Sequence, residues 1–235
     1  MIQIFDVKKR FGRVQALGGV TMSVAPGERV AFIGANGSGK TTLLRALLGL
    51  IRFDGRINMG GYDIAREPEQ ALRCVAYMPQ VAPPLEASVA EVVRAHAALR
   101  GKSTEGICDR ARRLGLDVQA SWPKRFRDLS GGMRQKLLAA MALAAEAPIL
   151  VCDEPTANLY GDARTAFFTQ LEERPANSIL LLCSHRLEEV GPLVTRVVEM
   201  SEARILRDSS FERGETAPES VASATTMPRL RIIAP

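Results

Sequence analysis

The residues that promise chemistry begin at Gly34-Ala35-Asn36-Gly37-Ser38-Gly39-Lys40-Thr41-Thr42, directly after the apolar run Val30 to Ile33. Strand, then GxxxxGK[ST], then helix is the setting of a loop that wraps a phosphate chain. The glycines let backbone N–H groups turn inward, and the helix beginning near Lys40 adds the partial positive charge of its N-terminus. Lys40 is expected to reach the β and γ phosphates of a nucleotide, and Thr41 to place its hydroxyl on Mg²⁺. A second chemical pair closes the apolar run Ile149-Leu-Val-Cys152, which ends in Asp153-Glu154. A central strand beside the loop would carry Asp153 to the Mg²⁺ shell and leave Glu154 to orient or deprotonate a water. Leu129-Ser130-Gly131-Gly132-Met133 opens a third site, before a helix. Serine and two glycines there read either as an ordinary helix cap or as a second anion site with exposed N–H groups and no obstructing side chain. One loop and a separate anion site suggest two halves of a composite, each completed by another copy or a paralogue.

Elements able to hold these groups are legible along the chain. Apolar or β-branched runs predict strands at Ile2 to Val7, Val20 to Val24, Val30 to Ile33, Cys74 to Met78, Ile149 to Cys152, Ile179 to Cys183 and Val194 to Met200. Helical period marks Thr41 to Leu50, Val89 to Leu99, Glu105 to Leu114, Gly132 to Ala145 and Asp162 to Glu172. The alternation predicts an α/β class: a P-loop NTPase core of mostly parallel sheet flanked by helices, with an N-terminal antiparallel β subdomain and an inserted helical subdomain at about 82–140. The expected domain is 1–208. Positions 209–235, rich in Ser, Thr, Glu and Pro, are expected to form a disordered tail.

Composition narrows the function classes. The 235 residues carry 31 Lys plus Arg against 26 Asp plus Glu, a net charge of +5, with 46% hydrophobic residues. No apolar stretch approaches the roughly 20 residues of a membrane span, so a span and a signal peptide are not expected. Cys74, Cys108, Cys152 and Cys183 form no CxxC pair, which argues against a zinc site or a disulfide scaffold and for a reducing compartment. The basic clusters are short, so nucleic acid is not an expected partner.

Taken together, Gly34 to Thr41, Gln80 after a strand, LSGGM at 129–133, VCDE at 151–154 and His185 after ILLLCS resemble the ATP-binding subunit of an ABC transporter over about residues 2–207. The resemblance implies a head-to-tail dimer holding two ATP molecules, each between one copy's P-loop and the other's Ser130, Gly131 and Gly132. It implies that Phe11 stacks on adenine, although a core phenylalanine is the alternative. Gln80 is implied to touch Mg²⁺ and the lytic water, and His185 the γ-phosphate. The catalytic set is then Glu154, His185, Gln80 and Lys40, the metal set Thr41, Gln80 and Asp153, and the cofactors ATP and Mg²⁺. The partner implied is a separate transmembrane permease, reached through Val81 to Glu86, on the cytoplasmic, inner face of the membrane. Motif wording is most similar to separate-subunit bacterial exporters of the multidrug type. His96, Trp122 and Met133 are expected to pack.

Two positions depart from the family. Tyr160 stands where the family usually has Asp, which supplies an alternative reading: a nucleotide-gated binding module with weak hydrolysis. Asp162 is expected to cap the helix that follows. Ala203 stands where the family commonly has Gly in a tight turn, costing about 1 kcal/mol if φ is positive there.

Overall fold

The computed structural model describes residues 1–185 and 187–210. An antiparallel sheet is built first, from β1 (Ile2–Phe11) and β2 (Val14–Val24). A central strand follows, β3 (Arg29–Ile33), and then the P-loop and α1 (Lys40–Leu47). The chain returns to the first sheet with β4 (Asp54–Met59) and β5 (Tyr62–Asp63), giving the order β2-β1-β4-β5. Helix α2 (Pro68–Arg73) leads into β6 (Val75–Met78).

A helical subdomain is then inserted: α3 (Val89–Arg100), α4 (Thr104–Arg113), two 3₁₀ turns and α5 (Gly131–Ala144). The chain resumes the core with β7 (Ile149–Asp153), α6 (Asp162–Glu172), β8 (Ile179–Ser184), α7 (Leu187–Val190), β9 (Arg196–Ser201) and β10 (Arg204–Ser210). The six-stranded sheet has the order β10-β9-β3-β8-β7-β6, parallel except for β10 on the edge.

Strands β3, β7 and β8 are buried on both faces, which is why each reads as an unbroken apolar run. Their two-residue period divides the core. Val30, Phe32, Ile149 and Val151 face a cluster shared with α1 and the antiparallel sheet. Ala31, Ile33, Leu150 and Cys152 face a second cluster shared with α5, α6 and the helical subdomain, where Met133 and Trp122 also pack. Helix α3 starts on a capping box between Ser88 and Glu91, worth about 1 kcal/mol.

Several expectations need correction. Strands β4, β5 and β10 and helices α2 and α7 are additional to the predicted set. Strand β10 runs through Ser210, two residues past the boundary expected at 208, and the rest of the expected tail lies outside the described residues. The helix cap before α6 is Gly161; Asp162 is its first residue and makes no capping bond. Ala203 does adopt positive φ, +64°, beside Glu202 at +47°.

Candidate ATP site

A cleft of about 280 Å³ opens at the C-terminal end of the parallel strands. Its P-loop wall is Asn36, Gly37, Gly39, Lys40, Thr41 and Thr42, and Gln80 and Glu154 enter from the ends of β6 and β7. This is the crevice in which open α/β sheets hold ligands. The loop geometry depends on glycine where neighbours press closest. At Gly34 (φ +153°) a Cβ would stand 2.2 Å from the Met200 carbonyl, and at Gly39 (φ +109°) 2.7 Å from that of Ala16. Gly37, at φ +84°, has nothing within 4 Å of its Cβ position, so its backbone faces open space.

Lys40 is buried, and its Nζ donates to the carbonyls of Gly34 at 2.6 Å and Ala35 at 3.1 Å. The ammonium is thus held by the loop that it serves, and Ala35 and Gly34 act through their carbonyls behind the cleft wall. Ser38 is buried as well, with its Oγ unpartnered. Asp153 lies beneath the P-loop at 3% exposure. Its carboxyl is held above its ordinary pKa by burial first and by the neighbouring Glu154 charge second; Arg45, Lys40 and a hydrogen bond from the Thr41 hydroxyl pull the other way. The end of β7 thus lies beside the start of α1.

Glu154 takes the left-handed conformation, φ +46°, and its N–H donates to the Cys183 carbonyl at 2.9 Å. Its Oε2 lies 2.9 Å from Nδ1 of His185, whose ring is about half exposed. A buried carboxylate oriented by an imidazole and facing a phosphate loop is suited to aligning a water for in-line attack. Hard oxygen donors from Thr41, Asp153 and Gln80, shared with phosphate and water, match the ligands that Mg²⁺ prefers. The buried, crowded carboxyl of Asp153 gains from a cation beside it, so these residues fit the metal.

Other expected site residues lie apart from this cleft. Ser130 caps α5, its Oγ accepting from the Met133 N–H at 3.2 Å, and Gly131 has nothing within 4 Å of its Cβ position. Neither they nor Gly132 line the cleft. Phe11 is 48% exposed, which removes the core alternative; it pairs with Val14 across the β1–β2 hairpin, with the Lys9 ammonium 5.0 Å from its ring centre. Tyr160 is 76% exposed and folds onto its own loop, its hydroxyl donating to the Ala157 carbonyl at 3.3 Å.

Sequence reasoning missed Val14, Gln15 and Ala16, which form the remaining cleft wall. They belong to β2, and only the packing of β2 against Gly39 brings them there. It also missed Gln135, buried in α5, whose amide donates to the Pro79 carbonyl at 3.5 Å and ties α5 to the segment bearing Gln80. A polar residue at an interior helical position was the available signal.

The fold and the cleft define a P-loop ATPase cassette. The ABC transporter family profile matches residues 17–157. The chain is 34% identical over 233 residues to a putative ABC transporter ATP-binding protein of Streptomyces avermitilis, covering 96% of this chain and 40% of that protein. It is 32% identical to the Nod factor export ATP-binding protein I of Cupriavidus metallidurans, covering 87% of this chain and 69% of that one. A solved ATP-binding subunit of an ABC transporter superposes with a TM-score of 0.84 at 26% identity, covering 96% of this chain and all of that one. The chain belongs to the ABC transporter family as an ATP-binding, ATP-hydrolysing domain. It spans about two fifths of the length of its Streptomyces relatives.

Proposed function

We propose that this chain is the motor of a membrane transporter of the exporting type, working as a head-to-tail dimer with two composite ATP sites and joined to a separate transmembrane permease. One observation carries the reading: Lys40, Thr41, Gln80 and Glu154 share a cleft, whereas the helix start at Ser130 to Gly132 lies outside it. A second copy, or a paralogue, supplies the missing half.

In this reading the P-loop amides and Lys40 hold the phosphates, with Thr41, Asp153 and Gln80 as the Mg²⁺ donors and Phe11 against adenine. Mg²⁺, when bound, supplies neutralisation of phosphate charge. Glu154 draws a proton from the water that Gln80 helps to place, His185 fixes Glu154 and meets the γ-phosphate, and Ser130 with Gly131 and Gly132 closes the site from the partner. ATP shifts the dimer towards closure only by its tighter binding to the closed state. The residues after Gln80, stiffened by Pro83 and Pro84, face the permease. Its place in this reading is peripheral, on the cytoplasmic face; among the described residues no helix is long and apolar enough to cross a membrane. The export direction rests on motif wording and on the export relative; relatives named for import match at similar identity, so flux measured in both directions with the permease decides it.

Tyr160 favours a second reading, a nucleotide-gated module that hydrolyses slowly, because its exposed ring occupies the loop that would meet the other copy. The test is Mg²⁺-dependent ATP turnover at rising protein concentration. Turnover that climbs more steeply than concentration supports the dimeric motor, and strict proportionality overturns it. Rescue only in Tyr160→Asp selects the second reading.

A further inference from the structure

A second cavity, of about 500 Å³, lies at the opposite end of the sheet from the ATP cleft, beside the starts of β7 and β8. Arg110, Glu146, Glu173, Arg174, Asn177 and Ser178 supply its polar lining. Arg174 is the unusual member. Only 9% exposed, it donates from Nη2 to the Ala147 carbonyl at 2.7 Å, while its enclosed Nε has no partner. Among the described residues no carboxylate pairs with it. The two nearby acids are engaged elsewhere: Glu173 by Arg110 at 3.2 Å and by Arg113, and Glu146 by Lys102. Burial holds the Arg174 pKa below its ordinary value, and Arg29 and Arg110 add like charge.

A buried guanidinium without a counterion is strongly unfavourable, and removing one partner of a buried pair shows how much such a charge needs compensation. Here the charge borders a cavity large enough for a small ligand. Guanidinium groups bind tetrahedral oxyanions through paired, charge-assisted hydrogen bonds. We propose that this cavity binds a small phosphate-class oxyanion, with Arg174 as its counterion and Arg110, Asn177 and Ser178 as further donors. Inorganic phosphate and a phosphomonoester share that chemistry.

Calorimetric titration tests the proposal on the full chain carrying Lys40→Ala, so that the P-loop does not answer for the cavity. Sodium phosphate and glycerol phosphate are each compared with sodium chloride at equal ionic strength. Saturable binding of either anion is expected, and the tighter one names the source. Adding Arg174→Met is expected to weaken binding about tenfold or more. Asn177→Asp, nearly isosteric and on the rim, is expected to weaken it several-fold by repulsion, and it decides the matter if Arg174→Met does not fold. No binding above the chloride control, or affinity unchanged in the folded variants, overturns the proposal.

Discussion

Nδ1 of His185 stands 2.9 Å from Oε2 of Glu154, and the two residues reach that contact from the ends of adjacent parallel strands, β8 and β7. Asp153 pairs with Cys183 in register, so each strand carries its next residues past the edge of the sheet, where Glu154 lines the cleft. The left-handed backbone at Glu154 turns its side chain towards the imidazole and away from the strand line. Strain of about 1 kcal/mol at such a residue persists because the surrounding sheet fixes it.

Glu154→Gln keeps the shape of this pair and removes the base. ATP turnover is expected to fall by about 10²–10⁴-fold while nucleotide binding persists. His185→Ala leaves the base and frees its orientation, so its loss is expected to be smaller, at most about 10²-fold. Steady-state turnover beside equilibrium binding of a fluorescent ATP analogue separates the two. Equal losses in both variants would mean that the contact of His185 with the γ-phosphate weighs as much as the base itself.

Asp153 links function to stability through pH. Its carboxyl is protonated in folded and unfolded chains alike below about pH 4. Because the folded pKa is raised, chiefly by burial and then by Glu154, folding loses stability as pH rises from the unfolded value through the folded one, and the loss is complete above it. Asp153→Asn removes this penalty. Its unfolding midpoint in urea is expected to exceed that of the parent at pH 7 and to match it near pH 3, with turnover lost. A variant less stable at pH 7 would show that Asp153 is favourably paired.

The core strands were legible because burial on both faces leaves continuous apolar runs at Val30 to Ile33, Ile149 to Cys152 and Ile179 to Cys183. Strand β4 was not, since only Ile57 and Met59 of its six residues are buried; β10 hid for the same reason, an exposed edge with no apolar face. Helix α2 buries Ala71 alone. At the site, local patterns revealed the P-loop and the acidic pair because backbone conformation and strand ends are local properties. Val14 to Ala16 and the arginine cavity arise from elements distant in sequence meeting in space, and no spacing announces that. Asp162 misled because an acid at a helix start serves equally as cap or first residue, and Gly161 took the cap.

The turn between β9 and β10 is a two-residue connection with positive φ at both Glu202 and Ala203, the geometry that Asn-Gly prefers. Glu202→Asn with Ala203→Gly is expected to raise stability by about 1 kcal/mol, since the left-handed cost falls at two positions. Loss of the buried Ala203 methyl offsets part of that gain, whereas the exposed Glu202 carries no such loss. A higher urea midpoint with an unchanged slope confirms the gain. A lower midpoint would show that the methyl matters more than the strain.

The composite dimer makes a prediction that no single-copy site shares. Gly131 has open space at its Cβ position and sits in the first turn of α5, so Gly131→Asp is accommodated and places an acid where helix starts favour one. The same carboxylate would repel the partner's ATP phosphates. Lys40→Ala disables the P-loop of its own copy. Each variant alone has two broken sites per dimer. A mixed dimer joins the intact P-loop of the Gly131→Asp copy to the intact α5 start of the Lys40→Ala copy, restoring one site and leaving the other doubly broken. Equal mixing makes half the dimers mixed, so turnover is expected to return to roughly a quarter of the parent. If the site were complete within one chain, mixing would restore nothing to two inactive parents, or the Gly131→Asp variant would be active by itself.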